Sequence, residues 1–456
     1  MRGRKNIVVI FIVLLTHFWA ANAQKVELSG INELAGRFIN EYFPGDNYRV
    51  SEIVPHYLDE EPVIYYMELD PEGWLLLSAE RKTAPVIGFS YEGALDYRSV
   101  FSGNEPAGEW VRAISETILE YSRDETLKPH PDWKNEFENT KGVTIQPLIT
   151  AKWGQGTGWN YYCPEDIEGP DGKAFVGCVA VAMAQALSVF EWPVSGEGEN
   201  TYQHNYYGEI SVNYSDSTYQ WELMEDLDPT RHTALLLYHG TITGIMNSGL
   251  DSPSANTSSA VDAFKDHFRI SDGIRNTKRW EYGLVAWEEL MIKELEAGRP
   301  IIYRGRSDEG DSGHAFNVDG VANSKYFHIN WGWGGSSNGN YLLHELNPTS
   351  TRSYNANQEA IIGIEPALAT GVSDITAPGF KLYPNPANDI IYLKPGNDSR
   401  IRSCTVYSKT GSPVLVMDNF NGQSIDVSSL QPGFYILTIS YADNRRKSSK
   451  FIKSKK

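Results

Sequence analysis

Cys178 opens an almost wholly apolar stretch, Val179-Ala180-Val181-Ala182-Met183-Ala184-Gln185, which reads as a helix running to about Phe190 and stopped by Pro193. Further helical patterns occupy Thr233 to Met246, Ser258 to His267 and Trp287 to Ala297, the last closed by Gly298 and Pro300. Only then do strand patterns follow one another, at Pro300 to Tyr303, His314 to Val318, Tyr326 to Trp331 and Glu359 to Ile364. Helices first and an antiparallel sheet second is an α+β layout. It puts Cys178 on the helical side of a cleft and His314, in Gly313-His314-Ala315-Phe316, on the sheet side.

A lone cysteine between Val and Ala is more often a small buried hydrophobe than a nucleophile. Its place at a helix N-terminus shifts that balance, because unpaired N–H groups and the macrodipole favour the reactive thiolate. His314 alone reads as an ordinary partly buried histidine, and Asn330, in His328-Ile329-Asn330-Trp331-Gly332, as a turn residue. Together they supply a thiol, an imidazole to shuttle its proton and an amide to hold the ring, with Trp331 to shield that hydrogen bond from water. Gln155, in Lys152-Trp153-Gly154-Gln155, reads on its own as a surface amide. It is also a candidate, with the Cys178 backbone N–H, for a two-donor oxyanion hole.

Arg2, Arg4 and Lys5, the unbroken apolar run Ile7 to Leu15 and the small-x-small string Ala21-Asn22-Ala23 read as a cleaved signal peptide over residues 1–23. The run is short beside the ~20 residues of a membrane span, so no stable span is expected. The remaining chain is long enough for two to four domains and, at 41% hydrophobic residues with 26 Tyr and 12 Trp, has ample core-forming material. A net charge of −18 argues against nucleic acid as a partner. Cys163, Cys178 and Cys404 are too few for a disulfide framework, and their odd number leaves a free thiol.

Residues 24–142 contain an amphipathic helix through Ile31, Leu34, Phe38 and Tyr42, strands at Val63 to Met67, Trp74 to Leu77 and Pro85 to Ser90, and a helix from Trp110 to Tyr121. The block carries no catalytic constellation and ends in the proline-broken Lys128 to Glu136, read as an exposed, cleavable linker. Residues 143–368 hold the candidate chemistry. Residues 374–456 change to short strands with turns at Lys409-Thr410-Gly411 and Gln431-Pro432-Gly433, the texture of a small β-sandwich with a basic end.

The strings Val176 to Gln185, Gly313 to Gly320 and Phe327 to Gly335, with Trp153-Gly154-Gln155, Asn160 and Cys163-Pro164 ahead of them, resemble the streptopain family of bacterial cysteine peptidases. The resemblance covers most of residues 143–348. It implies a papain-like catalytic domain in which Cys178 is nucleophile, His314 general base and acid, Gln155 oxyanion donor, Asn330 the orienter of the histidine and Trp331 part of its support. It further implies a preference for a hydrophobic side chain two positions before the cleaved bond. Residues 24–128 are similar to the inhibitory prodomain of that family. Residues 374–456, with Leu382-Tyr383-Pro384-Asn385-Pro386 and Leu430 to Tyr435, resemble the carboxy-terminal sorting domain of proteins exported by the type IX system. The implied protein is a secreted cysteine endopeptidase made as a zymogen, with proteins or peptides as substrates, its own prodomain as inhibitor and the type IX machinery as partner.

Two other readings compete. Gly310-Asp311-Ser312-Gly313 looks like a serine-hydrolase motif, though none of His130, His204, His232, His239 or His267 stands in the context such chemistry needs. A tyrosine-rich secreted chain with a β-sandwich also fits an adhesin or carbohydrate-binding protein. Metal and cofactor signatures such as His-Glu-x-x-His, paired Cys-x-x-Cys or a phosphate loop are lacking, so neither metal nor cofactor is expected.

Overall fold

The computed structural model describes residues 25–43, 47–102, 106–133, 142–243, 257–306, 313–343, 356–367, 380–384, 387–395, 401–408, 413–418, 420, 424–441 and 446–453. The expected leader and Gly310 to Ser312 of the serine-like string lie outside them. The chain divides into two compact units, Met1–Leu368 and Ala369–Lys456.

The first unit begins with helix α1 (Leu28–Tyr42) and strands β1 (Arg49–Leu58), β2 (Glu61–Asp70), β3 (Trp74–Ser78) and β4 (Val86–Ser90), followed by helices α2 (Tyr97–Ser102) and α3 (Pro106–Arg123). Helix α4 (Cys178–Ser188) and the hairpin β5 (Glu199–His204) and β6 (Gly208–Asn213) come next. After them stand α5 (Arg231–Ile242), α6 (Thr257–Asp266), β7 (Arg275–Lys278) and α7 (Leu284–Glu296). The unit ends with β8 (Ile301–Arg306), β9 (Gly313–Ala322), β10 (Tyr326–Asn330), β11 (Gly339–Leu342) and β12 (Ala356–Ile362). The expected helices and strands of this unit recur among the described residues with ends shifted by a few residues, the expected helix end at Met246 lying outside them; α2, β1, β7, β11 and the β5/β6 hairpin are additional.

The two blocks read from the sequence before residue 368 are joined by one ten-stranded sheet, ordered β1-β2-β3-β4-β11-β10-β9-β8-β12-β7. Each neighbouring pair is antiparallel. The seam is β4 against β11, where Phe89 pairs with Asn340 and Gly88 with Tyr341. Gly88 is required there, because a Cβ would lie 2.7 Å from the Tyr341 ring. Strand periodicity sorts side chains to two faces. Tyr66, Trp74 and Leu76 share a core with Trp110 of α3, Trp287 of α7 and Trp331 and Tyr341 of the later strands. Leu75, Leu77 and Phe89 pack instead with Ile31, Leu34 and Phe38 of α1 and with Tyr326 and Leu342.

A separate core lies under α4, α5 and α6, where Val179 to Leu187 meet Ile302 of β8, Ala315 of β9 and Ile361 of β12. Helix α4 is buried from Val179 through Leu187, as befits a helix with almost no polar face. One expectation is corrected in part: Lys128, Pro129 and Pro131 are exposed as read, but Trp133 is not, and Lys134 to Glu136 lie outside the described residues. The first half of the presumed exposed linker is anchored, with Trp133 buried, its indole N–H donating to the Thr83 carbonyl at 2.7 Å, and Lys325 paired with Asp132. A large aromatic ring gains more from burial than a proline-broken backbone loses by being held.

The second unit pairs a three-stranded sheet, β13 (Phe380–Tyr383), β14 (Ile390–Pro395) and β17 (Ser424–Asp426), with a four-stranded one. The latter contains β16 (Pro413–Asp418), β15 (Ile401–Ser408), β18 (Gly433–Tyr441) and β19 (Arg446–Lys453). Ile391, Leu393, Cys404, Val406, Leu437, Ile439 and Phe451 fill one core between them, so this unit is a small β-sandwich.

Candidate active site

Gly177 precedes α4 with φ 94°, a left-handed conformation that a residue with a Cβ adopts only under strain, and Cys178 follows as the first helical residue. The thiol is partly buried and hydrogen-bonded to the His314 side chain. Burial pushes its pKa up. The His314 hydrogen bond and charge, together with the Ala315 and Val179 backbone N–H groups, more than offset this and hold the thiol below its ordinary value. The other two thiols are of a different kind: burial pushes Cys163 and Cys404 up to about 12.

His314 stands near the start of β9 and is almost fully buried. Its Nε2 lies 2.9 Å from the Trp331 carbonyl oxygen. A carbonyl only accepts, so Nε2 carries a hydrogen and Nδ1 is the nitrogen left for the thiol. Phe316 and Trp331 lie nearly parallel to the ring, at 6.1 and 6.3 Å between centroids. The Trp331 side chain therefore stands beside the imidazole, while its main-chain carbonyl is the group that contacts Nε2.

Asn330 is beside the histidine in the fold yet is not its direct partner. Its Nδ2 donates to the Ala151 carbonyl at 3.0 Å, and its Oδ1 accepts from Gln185 Nε2 and from the Gly332 backbone N–H, both at 3.2 Å. The expected Asn330 to His314 bond is therefore replaced by an indirect route. Asn330 holds the N–H end of the Trp331–Gly332 peptide, whose C=O end meets the imidazole. Chain direction explains this: Asn330 ends β10 buried between strands, and the backbone turning away at Trp331 brings its carbonyl to the ring first.

Gln155 lies in the segment just before α4, half-buried, and its backbone carbonyl accepts from Val176 N–H at 3.0 Å. Lys152 N–H donates to the Asp226 carbonyl, Trp153 Nε1 to the Glu225 carbonyl, and Gly334 N–H to the Trp153 carbonyl, so this segment is pinned on both sides of the cleft. Gln185 and Asn317, which the sequence reading passed over, lie fully buried beside the dyad. The signal for Gln185 was available: it is the one strongly polar side chain between Val179 and Leu187. Among the described residues, no group of three or more His, Cys, Asp or Glu side chains is arranged to hold a metal.

The profile of the Peptidase C10 family matches residues 153–341, which include the helix of Cys178, His314 and Trp331. Among known proteins, the thiol protease/hemagglutinin PrtT of Porphyromonas gingivalis is 28% identical over 338 residues. That match takes in 69% of this chain and 38% of the relative's length. Streptopain of Streptococcus pyogenes is 26% identical over 334 residues, 66% of this chain and 81% of the relative. Interpain A of Prevotella intermedia has been solved in two forms. The prointerpain A fragment is 25% identical with a TM-score of 0.54, covering 69% of this chain and 99% of the fragment. The active enzyme is 30% identical with a TM-score of 0.43, covering 52% of this chain and 99% of that one. The chain carries a Peptidase C10 domain.

This C10 chain is thus a cysteine peptidase of the streptopain kind, and the likeness to prointerpain A extends over the N-terminal block as well as the catalytic part. Residues 381–454 match the secretion system C-terminal sorting domain, which directs the C10 peptidase to export. No helix among the described residues is long and apolar enough to cross a membrane.

Proposed function

We propose that this chain is an endopeptidase in which Cys178 attacks the scissile carbonyl and His314 carries the protons. Its support is a single arrangement: a thiol at the N-terminal end of a buried helix, hydrogen-bonded to an imidazole whose far nitrogen already donates to a fixed carbonyl. Nδ1 takes the thiol proton, and the thiolate adds to the carbonyl carbon to form a tetrahedral oxyanion. The Cys178 N–H, which as a first helical residue has no intrahelical acceptor, and the Gln155 side-chain amide donate to that oxyanion. Collapse expels the amine, which takes the proton from imidazolium. Water, deprotonated by the same imidazole, then cleaves the thioester and frees the carboxylic acid product and the thiol.

Residues 24–142 act as the inhibitory prodomain in this reading, residues 143–368 as the peptidase, 374–456 as the sorting domain and 1–23 as the removed leader. The test is covalent capture by an epoxide-type thiol inhibitor followed by peptide mapping, alongside hydrolysis of an internally quenched peptide blocked at both ends. Labelling on Cys178 with cleavage of the blocked peptide is expected. Labelling without cleavage would restrict the activity to chain ends. A chain that takes no label and loses no ligand binding on Cys178→Ala would favour the adhesin reading.

A further inference from the structure

Gln185 sits two turns into α4, on the helix that Cys178 begins, and is 0% exposed. Both ends of its amide are bonded: Nε2 donates to the Ala151 carbonyl at 3.0 Å and to Asn330 Oδ1 at 3.2 Å, while Oε1 accepts from Asn317 Nδ2 at 3.1 Å. The orientation is decided by chemistry. Ala151 offers only an acceptor, so the Nε2 end must face it, which leaves Oε1 for Asn317. Asn317 Nδ2 also donates to the Ala182 carbonyl at 3.1 Å, fastening β9, three residues beyond His314, to the same helix. The partners of this one amide therefore come from each piece of the site: the segment leading to Gln155, the strand of His314, and the end of β10 that precedes Trp331.

We propose that Gln185 is a positioning residue for peptide hydrolysis. It fixes the Trp331–Gly332 peptide, through Asn330, relative to the helix that carries the thiol, and so sets where the His314 ring meets Cys178. The path is continuous: Gln185 Nε2 to Asn330 Oδ1, Asn330 Oδ1 to Gly332 N–H, and the carbonyl of that same peptide to His314 Nε2. This inference rests on the Cys178–His314 reading above.

Gln185→Met keeps the length and bulk of the side chain and removes its three hydrogen bonds. It should lower kcat per titrated active site by about 10- to 100-fold, the usual cost of sub-ångström misplacement of a catalytic group, with KM little changed. The rate of Cys178 alkylation by iodoacetamide, followed against pH, should move to higher pH, because a loosened imidazole stabilises the thiolate less. Gln155→Ala, by contrast, should lower kcat without moving that profile, since alkylation forms no oxyanion. Gln185→Asn, which withdraws the amide by one methylene, carries the same test when the Met variant does not accumulate folded. Variants that lose only stability, with kcat per active site and the alkylation profile both unmoved, overturn the positioning role. A parent protein that is not alkylated at Cys178 overturns the dyad reading and this one with it.

Discussion

Replacing His239 by glutamine should remove a large part of the acid sensitivity of the catalytic unit. His239 lies in α5, 3% exposed, with the Tyr219 hydroxyl 2.7 Å from Nδ1 and the rings of Tyr214 and Tyr219 edge-on at 5.2 and 5.6 Å. Burial pushes its pKa down to about 4 from an ordinary 6.5. The folded chain therefore keeps the ring neutral over a range in which the unfolded chain takes up a proton. The unfolded state binds more protons below about pH 6.5, so stability is complete above that value, falls as pH drops, and levels off near pH 4. The fall from 6.5 to about 4 corresponds to about 3 kcal/mol from this one residue.

The assay is urea unfolding at several pH values between about 7.5 and 4.5, in a Cys178→Ala background that prevents self-digestion, comparing His239 with His239→Gln. All 12 tryptophans precede residue 369, so indole fluorescence follows the first unit alone. Carboxylates that titrate elsewhere are common to both proteins and cancel in the difference. His239→Gln should be less stable near neutrality and should close the gap, or pass its parent, toward pH 4.5. A stability difference independent of pH over that range would refute the argument that burial of a neutral imidazole governs the slope.

Asn330→Ala strands the buried Gly332 N–H and one buried Gln185 N–H, so it should cost about 2–6 kcal/mol at ~1–3 kcal/mol per orphaned donor. Its kcat loss should stay smaller than that of His314→Ala, and a variant of unchanged urea midpoint but as inactive as His314→Ala would contradict the indirect role. Thiol labelling near pH 7 should vanish in Cys178→Ala and persist in Cys163→Ala and Cys404→Ala, whose parent thiols are held protonated by burial; mass spectrometry of the labelled peptides decides. Gly88→Val drives a side chain into the Tyr341 ring at the β4/β11 seam, so conversion of the precursor by added active enzyme should be faster while the activity of the mature form stays the same.

The elements that carry chemistry could be read from the sequence because strong local signals coincide there. The apolar run after Cys178 is bounded by Pro193, and His314 and Asn330 stand in β-rich strings. The partner of His314 could not be read in this way. It is a main-chain carbonyl, and every residue has one, so no side-chain pattern betrays it; the amide of Asn330 is the visible candidate, and it bonds the other end of that peptide, at the Gly332 N–H. Strand β11, Gly339 to Leu342, carries glycine and asparagine at its start and gains its place from tertiary contacts, the pairing with β10 and β4 and the packing of Tyr341 against Trp74, Trp110 and Trp331. The seam joining two blocks into one sheet is likewise a tertiary fact, since Gly88 and Gly339 look like ordinary punctuation until the rings they admit are seen.

That seam bears on where the peptidase can become free. While the N-terminal block is part of the chain, β4 meets β11 at an effective concentration of order millimolar, whatever the dilution of the protein. Once the connection is cut, the two residue pairs of ladder, the cores shared across the seam and the Lys325–Asp132 pair still hold the block, but its local concentration on release becomes that of the surrounding fluid. In a confined compartment the severed piece returns as fast as it leaves. Outside the cell, where a released piece enters open medium, it diffuses away, and the same cut becomes in effect irreversible.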